Sequence, residues 1–296
     1  MIEQSVSFPS DGLTLAGVVR VPGNLARGER RPAFIVLHGF GSAMNAANVL
    51  APCAMLEQFG YVTLRFDMRG CGDSGGEKGR LICLDQVADT KNALSFLAAH
   101  DAVDPTRIAV VGSSFGAAVA IYTAGVDARV AAVVSAGGWG NGERKFKGQH
   151  ATPEAYAKFI AMLDEGRRHR EQTGRSLMVS RYDIVPIPEH LRGHVVERSV
   201  QMLPVETAQS MFDFRAEDVI GNIAPRPVLL LHSARDSVTP TEQSIELFRH
   251  AGEPTDLHLF AGTDHFMFAE SNARVRSVLV EWLATYFPVA PPASGK

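Results

Sequence analysis

The pentapeptide Gly112-Ser113-Ser114-Phe115-Gly116 has the spacing G-x-S-x-G. A strand-like apolar run over 107–112 leads into it, and small residues at helical spacing follow over 115–124. A serine on such a strand-to-helix turn is forced into a strained backbone conformation, and glycines two residues to either side remove the side chains that would collide. Its hydroxyl is then raised at the sheet edge, beside the positive end of the following helix. A serine hydroxyl is nonetheless a poor nucleophile without a base to take its proton and an acid to orient that base.

Ten histidines could supply the base. His265 lies in Gly262-Thr263-Asp264-His265-Phe266, after a strand-like run at 256–260 and before the last helical pattern. That position shares the carboxyl edge of a parallel sheet with Ser114, where such sheets bind their ligands. His38 and His232 also end strand-like runs, but stand flush with them and are expected to pack or hydrogen-bond there. Asp236, just past the apolar run 227–231, is the expected orienting acid. Asp264 competes with it, yet a direct sequence neighbour points away from the ring too readily. No carboxylate stands at Ala136, Gly137 or Gly138 after the run 130–135, which again favours Asp236. The chain order Ser114, Asp236, His265 is the order of one serine-hydrolase fold and not of the other serine-protease folds.

Strands and helices must alternate to hold these residues on one edge, and the sequence alternates them. Strand patterns occupy 5–8 and 13–21 around a turn at 9–12, then 33–37, 61–66, 107–112, 130–135, 227–231 and 256–260. Helical spacing fills 46–59, 84–100, 115–124, 240–250 and 273–287, and Asp104-Pro105 reads as a turn. Short apolar runs between helices suit strands buried on both faces of a parallel sheet. From 139 to 224 the alternation stops, which marks an insertion over a core made of 1–138 and 225–287. Within it Thr152-Pro153 reads as a helix start and Gly174 as its stop. The segment 288–296 reads as a disordered tail.

With these residues in place, the chain resembles the α/β-hydrolase superfamily, and within it the bacterial esterases and the dienelactone-hydrolase-like and cinnamoyl-esterase-like proteins, over roughly residues 5–287. The resemblance implies a mostly parallel eight-stranded sheet with helices on both faces and an inserted, largely helical cap. His38-Gly39-Phe40-Gly41 is similar to the family's oxyanion loop, which implies the backbone N–H groups of Phe40 and Phe115 as donors to the tetrahedral oxyanion. Asp67-Met68-Arg69-Gly70-Cys71-Gly72-Asp73-Ser74 is similar to the family's D-x-R-G-x-G-x-S loop and reads as structural. A serine at 114, where some relatives carry Asp or Cys, disfavours dehalogenation and true dienelactone hydrolysis.

The implied activity is hydrolysis of a carboxylic ester of a small or medium hydrophobic or aromatic substrate, through an acyl-enzyme. Amide, peptide, thioester, lactone or C–C cleavage and acyl transfer remain alternatives on the same triad, with a non-catalytic binding protein as a remote one. Trp139, Tyr156, Tyr182 and Met211 are the cap residues expected to line the substrate pocket. Deleting 140–220 is expected to alter substrate preference more than triad geometry.

Composition narrows the rest. Apolar residues form 46% of 296 and charged residues 21%, an ordinary globular balance. A formal charge of −3 gives no general attraction to nucleic acid or to anionic membranes. The basic cluster Arg167-Arg168-His169-Arg170 shares a helical pattern with acids and reads as a solvated face. Gly70, Gly72 and Gly75 fit G-x-G-x-x-G, but no helix opens directly after them, which argues against a dinucleotide site. Three cysteines, Cys53, Cys71 and Cys83, show neither disulfide-framework nor zinc spacing. No metal and no cofactor is expected. The expected setting is the cytoplasm, with a small-molecule substrate, no membrane partner, and a homodimer as an open alternative.

Overall fold

The computed structural model describes residues 1–270 and 272–290. The core strands are β1 (Ile2–Ser10), β2 (Leu13–Val21), β3 (Arg31–Leu37), β4 (Val62–Phe66), β5 (Val103–Ser113) and β6 (Val130–Ala136). Two short strands, β7 (Met178–Ser180) and β8 (Met202–Pro204), follow in the segment 139–224, which is expected to form the cap and keeps that name, and then the core strands β9 (Val228–Ser233) and β10 (Thr255–Phe260). The helices are α1 (Ala47–Gln58), α2 (Cys83–Ala98), α3 (Phe115–Val126), α4 (Gly142–Gln149), α5 (Pro153–Thr173), α6 (Arg181–Ile184), α7 (Val205–Asp213), α8 (Glu217–Ile220), α9 (Glu242–His250) and α10 (Ala273–Tyr286).

Eight strands form one sheet in the order β1-β2-β4-β3-β5-β6-β9-β10. Every pairing from β4 to β10 is parallel, and only β2 runs against its neighbours. This is the α/β-hydrolase fold. Alternation along each buried strand explains the two helical layers. On β3, Phe34 and Val36 face α1 and α10, where Val49, Leu56, Leu279 and Trp282 close one core cluster. Ile35 and Leu37 face the opposite layer, with Val87, Leu94, Val119 and Leu247 from α2, α3 and α9. Each such side chain contributes about 1.5–3 kcal/mol by leaving water.

Local expectations are refined in places. The β1–β2 connection is a two-residue turn, Asp11-Gly12, with both φ angles positive at 47° and 81°; Pro9 and Ser10 stay in the strand. Asp104-Pro105 belongs to β5, not to a turn. In the cap, the Thr152 hydroxyl accepts the Ala155 N–H at 3.2 Å, Pro153 opens α5, and Gly174 ends it with φ 70°.

The cap shares its apolar interior with the core. Trp139, Phe146, Phe159, Leu163 and Met211 join the cluster that includes Ile35 and Val119. Deletion of 140–220 would therefore open that cluster to water, so it is expected to unfold the chain and not merely retune its selectivity. The last part of the insertion, α8 and the turn at 221–223, packs on α3 and α9 as a core layer. At the other end, the carbonyls of Pro288 and Val289 accept from Arg107, so these two residues are docked. Of the expected tail, residues 291–296 lie outside the described residues. No described helix is long and apolar enough to cross a membrane.

Candidate active site

Ser114 follows the last residue of β5 and precedes the first of α3, with φ 55° and ψ −115°. A non-glycine residue at positive φ is strained, and the surroundings must enforce it. Its N–H donates to Ala136 O at 2.8 Å, tying the turn to β6. Gly112 and Gly116 meet inside the turn: a Cβ on Gly112 would stand 2.2 Å from the Gly116 oxygen, and one on Gly116 would stand 2.6 Å from His38 O. The sequence spacing is thus a steric necessity of this bend.

His265 sits in the loop after β10, and its Nδ1 donates to Asp236 Oδ2 at 2.8 Å, with Oδ1 at 3.1 Å. A carboxylate only accepts, so the proton is assigned to Nδ1 and the lone pair to Nε2. Asp236 Oδ1 also accepts the N–H groups of Val238 at 2.8 Å and Thr239 at 2.7 Å. Burial alone would raise the Asp236 carboxyl, but the charge of His265 and hydrogen bonds from His232 and His265 hold it far below the usual carboxylate range. Asp264 is turned away from the ring. Its oxygens accept the Ser237 N–H at 2.9 Å and the Ser237 hydroxyl at 2.8 Å, so it staples the histidine loop to the aspartate loop.

Of the two roles expected for His232, packing or hydrogen bonding, the structure shows hydrogen bonding, and one of its contacts is Asp236. Its Nε2 reaches Thr239 O at 3.0 Å and Asp236 Oδ2 at 3.3 Å, while Nδ1 pairs with the Ser244 hydroxyl at 2.6 Å. His38 keeps a structural role, with Nδ1 on Gly39 O at 2.8 Å and Nε2 accepting from Met68 N at 3.1 Å. Burial, only partly offset by that carbonyl, lowers its pKa.

Together with residues of the segment 181–199, Ser114 and His265 line one cleft. No direct hydrogen bond joins them among the described residues; such contacts often tighten only when substrate binds. Gly39 backs onto the serine, where a Cβ would meet the Ser114 Cβ at 3.8 Å. Phe115 opens α3, so its N–H lacks a helical acceptor. Among the described residues, no backbone acceptor takes the Phe40 N–H either. A hydroxyl beside an imidazole held by a buried carboxylate can attack an acyl carbon, and free N–H groups alongside can hold the resulting oxyanion.

The four expected cap residues do not line this cleft. Trp139 and Met211 are each 1% exposed and belong to the cap–core cluster, with Trp139 5.8 Å from the Phe115 ring centre. Tyr156 lines a groove on the cap's outer surface between the end of α4 and α5. Tyr182 lies under the guanidinium of Arg192 at 4.3 Å, beside a second outer groove. The cap instead lends the cleft Arg181, Val185, Ile187, His194, Val195 and Ser199. These sit in its proline-broken stretch, where no periodicity marks the facing side.

The Asp67 loop is tied by its own carboxylate: Asp67 accepts the Met44 N–H at 2.7 Å and the Asp73 N–H at 2.8 Å. The basic cluster is a solvated face, with Arg167 on Asp164 and Arg170 on Glu206.

A family profile described as "Serine aminopeptidase, S33" matches residues 28–272. The chain belongs to this hydrolase family. Members need not share a bond or a substrate. An Escherichia coli protein of 31.7 kDa from the traX-finO intergenic region is 27% identical over 92% of this chain and 96% of its own. The polyketide transferase grgF of a Penicillium species is 27% identical over 86% of each chain. Its crystal structure superposes with a TM-score of 0.78, at 22% identity over 96% of this chain and 97% of that one. A thiohydrolase of Eupenicillium brefeldianum is 25% identical over 88% of this chain and 87% of its own.

Proposed function

We propose that this S33-family hydrolase is a serine esterase that cleaves carboxylic esters of small or medium hydrophobic acids through an acyl-enzyme. One observation carries the reading: the strained Ser114 turn and the Asp236-held His265 open onto the same cleft. Ser114 Oγ attacks the ester carbonyl as His265 Nε2 takes its proton. The carbonyl electron pair moves onto oxygen, where the N–H groups of Phe40 and Phe115 receive it. As the tetrahedral adduct collapses, the bond to the leaving alkoxide breaks and His265 returns the proton to it. Water then repeats the sequence on the acyl-enzyme and frees the acid, with Asp236 stabilising the imidazolium in both halves. Val185, Ile187, Val195, Val238 and Phe266 make the cleft mostly apolar, which suits a hydrophobic acyl group.

A second reading keeps the acyl-enzyme and changes its donor or acceptor. The relatives named polyketide transferase and thiohydrolase favour a thioester donor, with an alcohol or water as acceptor. The test is intact-protein mass after exposure to a fluorophosphonate, for wild type and Ser114→Ala in parallel. A single adduct on the wild type alone supports the serine hydrolase; an unlabelled wild type sinks it. Matched ester and thioester substrates, with and without added alcohol, then separate the two readings.

A further inference from the structure

Arg181 opens α6 in the cap, 3% exposed, and lines the same cleft as Ser114 and His265. Among the described residues it has no carboxylate partner. Its guanidinium instead grips backbone on both sides of the cap–core seam. Nη2 donates to Phe40 O at 2.8 Å, and Nη1 donates to Val200 O at 3.0 Å. Val200 N in turn donates to Gly41 O at 2.8 Å, and Arg181 N donates to Gln201 O at 2.8 Å. The guanidinium carbon stands 5.5 Å from the centre of the Phe40 ring. The carbonyls of Phe40 and Gly41 are thus both held from the cap, one by Arg181 and one by Val200 in the segment before β8, which Arg181 itself holds.

Burying a cation without a carboxylate partner is costly, and packing alone would be served better by an apolar side chain. What a guanidinium adds is a rigid planar fork that fixes two acceptors at a set angle. The Phe40 carbonyl and the Phe40 N–H flank one Cα. The two groups lie on adjacent peptide planes joined at that Cα, so fixing the carbonyl narrows the φ and ψ of Phe40 and with them the range of directions its N–H can take.

We propose that Arg181 is a positioning residue which, from the cap, aims the Phe40 N–H at the oxyanion formed on Ser114. The proposal rests on the reading of Ser114 as nucleophile. It makes the cap part of the oxyanion device: any displacement of α6 from the core would release the Phe40 peptide and slow acyl transfer.

The test compares wild type, Arg181→Met and Arg181→Lys on one aryl ester, with melting temperature and near-UV circular dichroism as fold controls. Lysine keeps charge and reach but lacks the fork, and it carries the test if the methionine variant does not fold. The expected result is a folded variant with kcat lower by about a hundredfold, the cost of a misaligned reacting group, and KM nearly unchanged. A trifluoromethyl ketone, which forms the tetrahedral oxyanion on serine, should lose affinity by the same factor as kcat/KM. A folded variant with wild-type kcat, or one altered in KM alone, would overturn the proposal and leave Arg181 as a cap or substrate contact. The two readings fail separately: an unlabelled wild-type Ser114 defeats the esterase reading, whereas a labelled, active wild type matched by its Arg181 variants defeats only this inference.

Discussion

His232, near the end of β9, and Asp236, in the loop that follows, stand four residues apart and meet, with Nε2 3.3 Å from Oδ2 and both side chains fully buried. The carboxylate that orients His265 is therefore held by two imidazoles. Because Asp236 is depressed in the fold, it stabilises the native state above the ordinary carboxylate pKa of about 4, and that contribution is lost as pH falls through its lowered value. His232→Phe removes one cause of the depression. The variant should lose about 1.5–3 kcal/mol at neutral pH and unfold at a higher pH on acidification. Urea unfolding at pH 7 measures the first and near-UV circular dichroism between pH 2 and 6 the second; an unchanged acid midpoint would show that the 3.3 Å contact carries no coupling.

Asp236 and Asp264 compete in sequence but not in space. Asp236→Asn should keep the fold and lower kcat by about 10⁴, because an amide no longer holds the imidazole in the working tautomer. Asp264→Asn loses only part of a staple to Ser237 and should lower kcat less than about tenfold. Steady-state kinetics on both variants decides; the reverse ranking would transfer the orienting role to Asp264.

Lys145 is 1% exposed, against the rings of Trp139 and Phe146, with Nζ donating to Gln149 Oε1 at 2.8 Å. Burial pushes its pKa down to about 7, with Cys83 and Asp236 nearby opposing the shift only weakly. Above pH 7 the unfolded chain keeps a proton that the folded protein releases, so this residue makes stability rise with pH toward its unfolded pKa of about 10.4. The thiols of Cys53, Cys71 and Cys83, each pushed up to about 12 by burial, act in the opposite sense above their unfolded pKa of about 8.5. Urea unfolding at pH 7 and 8.5 should therefore show wild type gaining about 2 kcal/mol over Lys145→Met across that span. Parallel curves for the two proteins would mean that the amine stays charged when folded.

Cap residues should divide by position. Trp139→Ala and Met211→Ala open a cap–core cavity and should cost about 2–5 kcal/mol, with selectivity among substrates unchanged in whatever folds. Val185→Ala and Val195→Ala widen the cleft and should shift preference toward bulkier acyl groups on the order of tenfold, at smaller cost in melting temperature. A panel of esters of graded acid size, run beside thermal melts, reads both effects. A selectivity change in Trp139→Ala would return that residue to the substrate site.

The readings that came directly from sequence rest on short-range physics. Gly112 and Gly116 clear the bend at Ser114 through contacts within four residues and against the adjoining strand end. The strand–helix alternation is written in local hydrophobic period, and it places His265 and Asp236 on one edge because both directly follow parallel strands. Tertiary structure alone decided the contacts between distant segments. Arg181 and Phe40 are 141 residues apart, and no local pattern pairs them. Likewise an aromatic or Met side chain in the cap buries apolar area equally well toward the core or toward the cleft. Composition carries no direction, so only packing could send Trp139 and Met211 into the core and give the cleft to Val185, Ile187 and Val195.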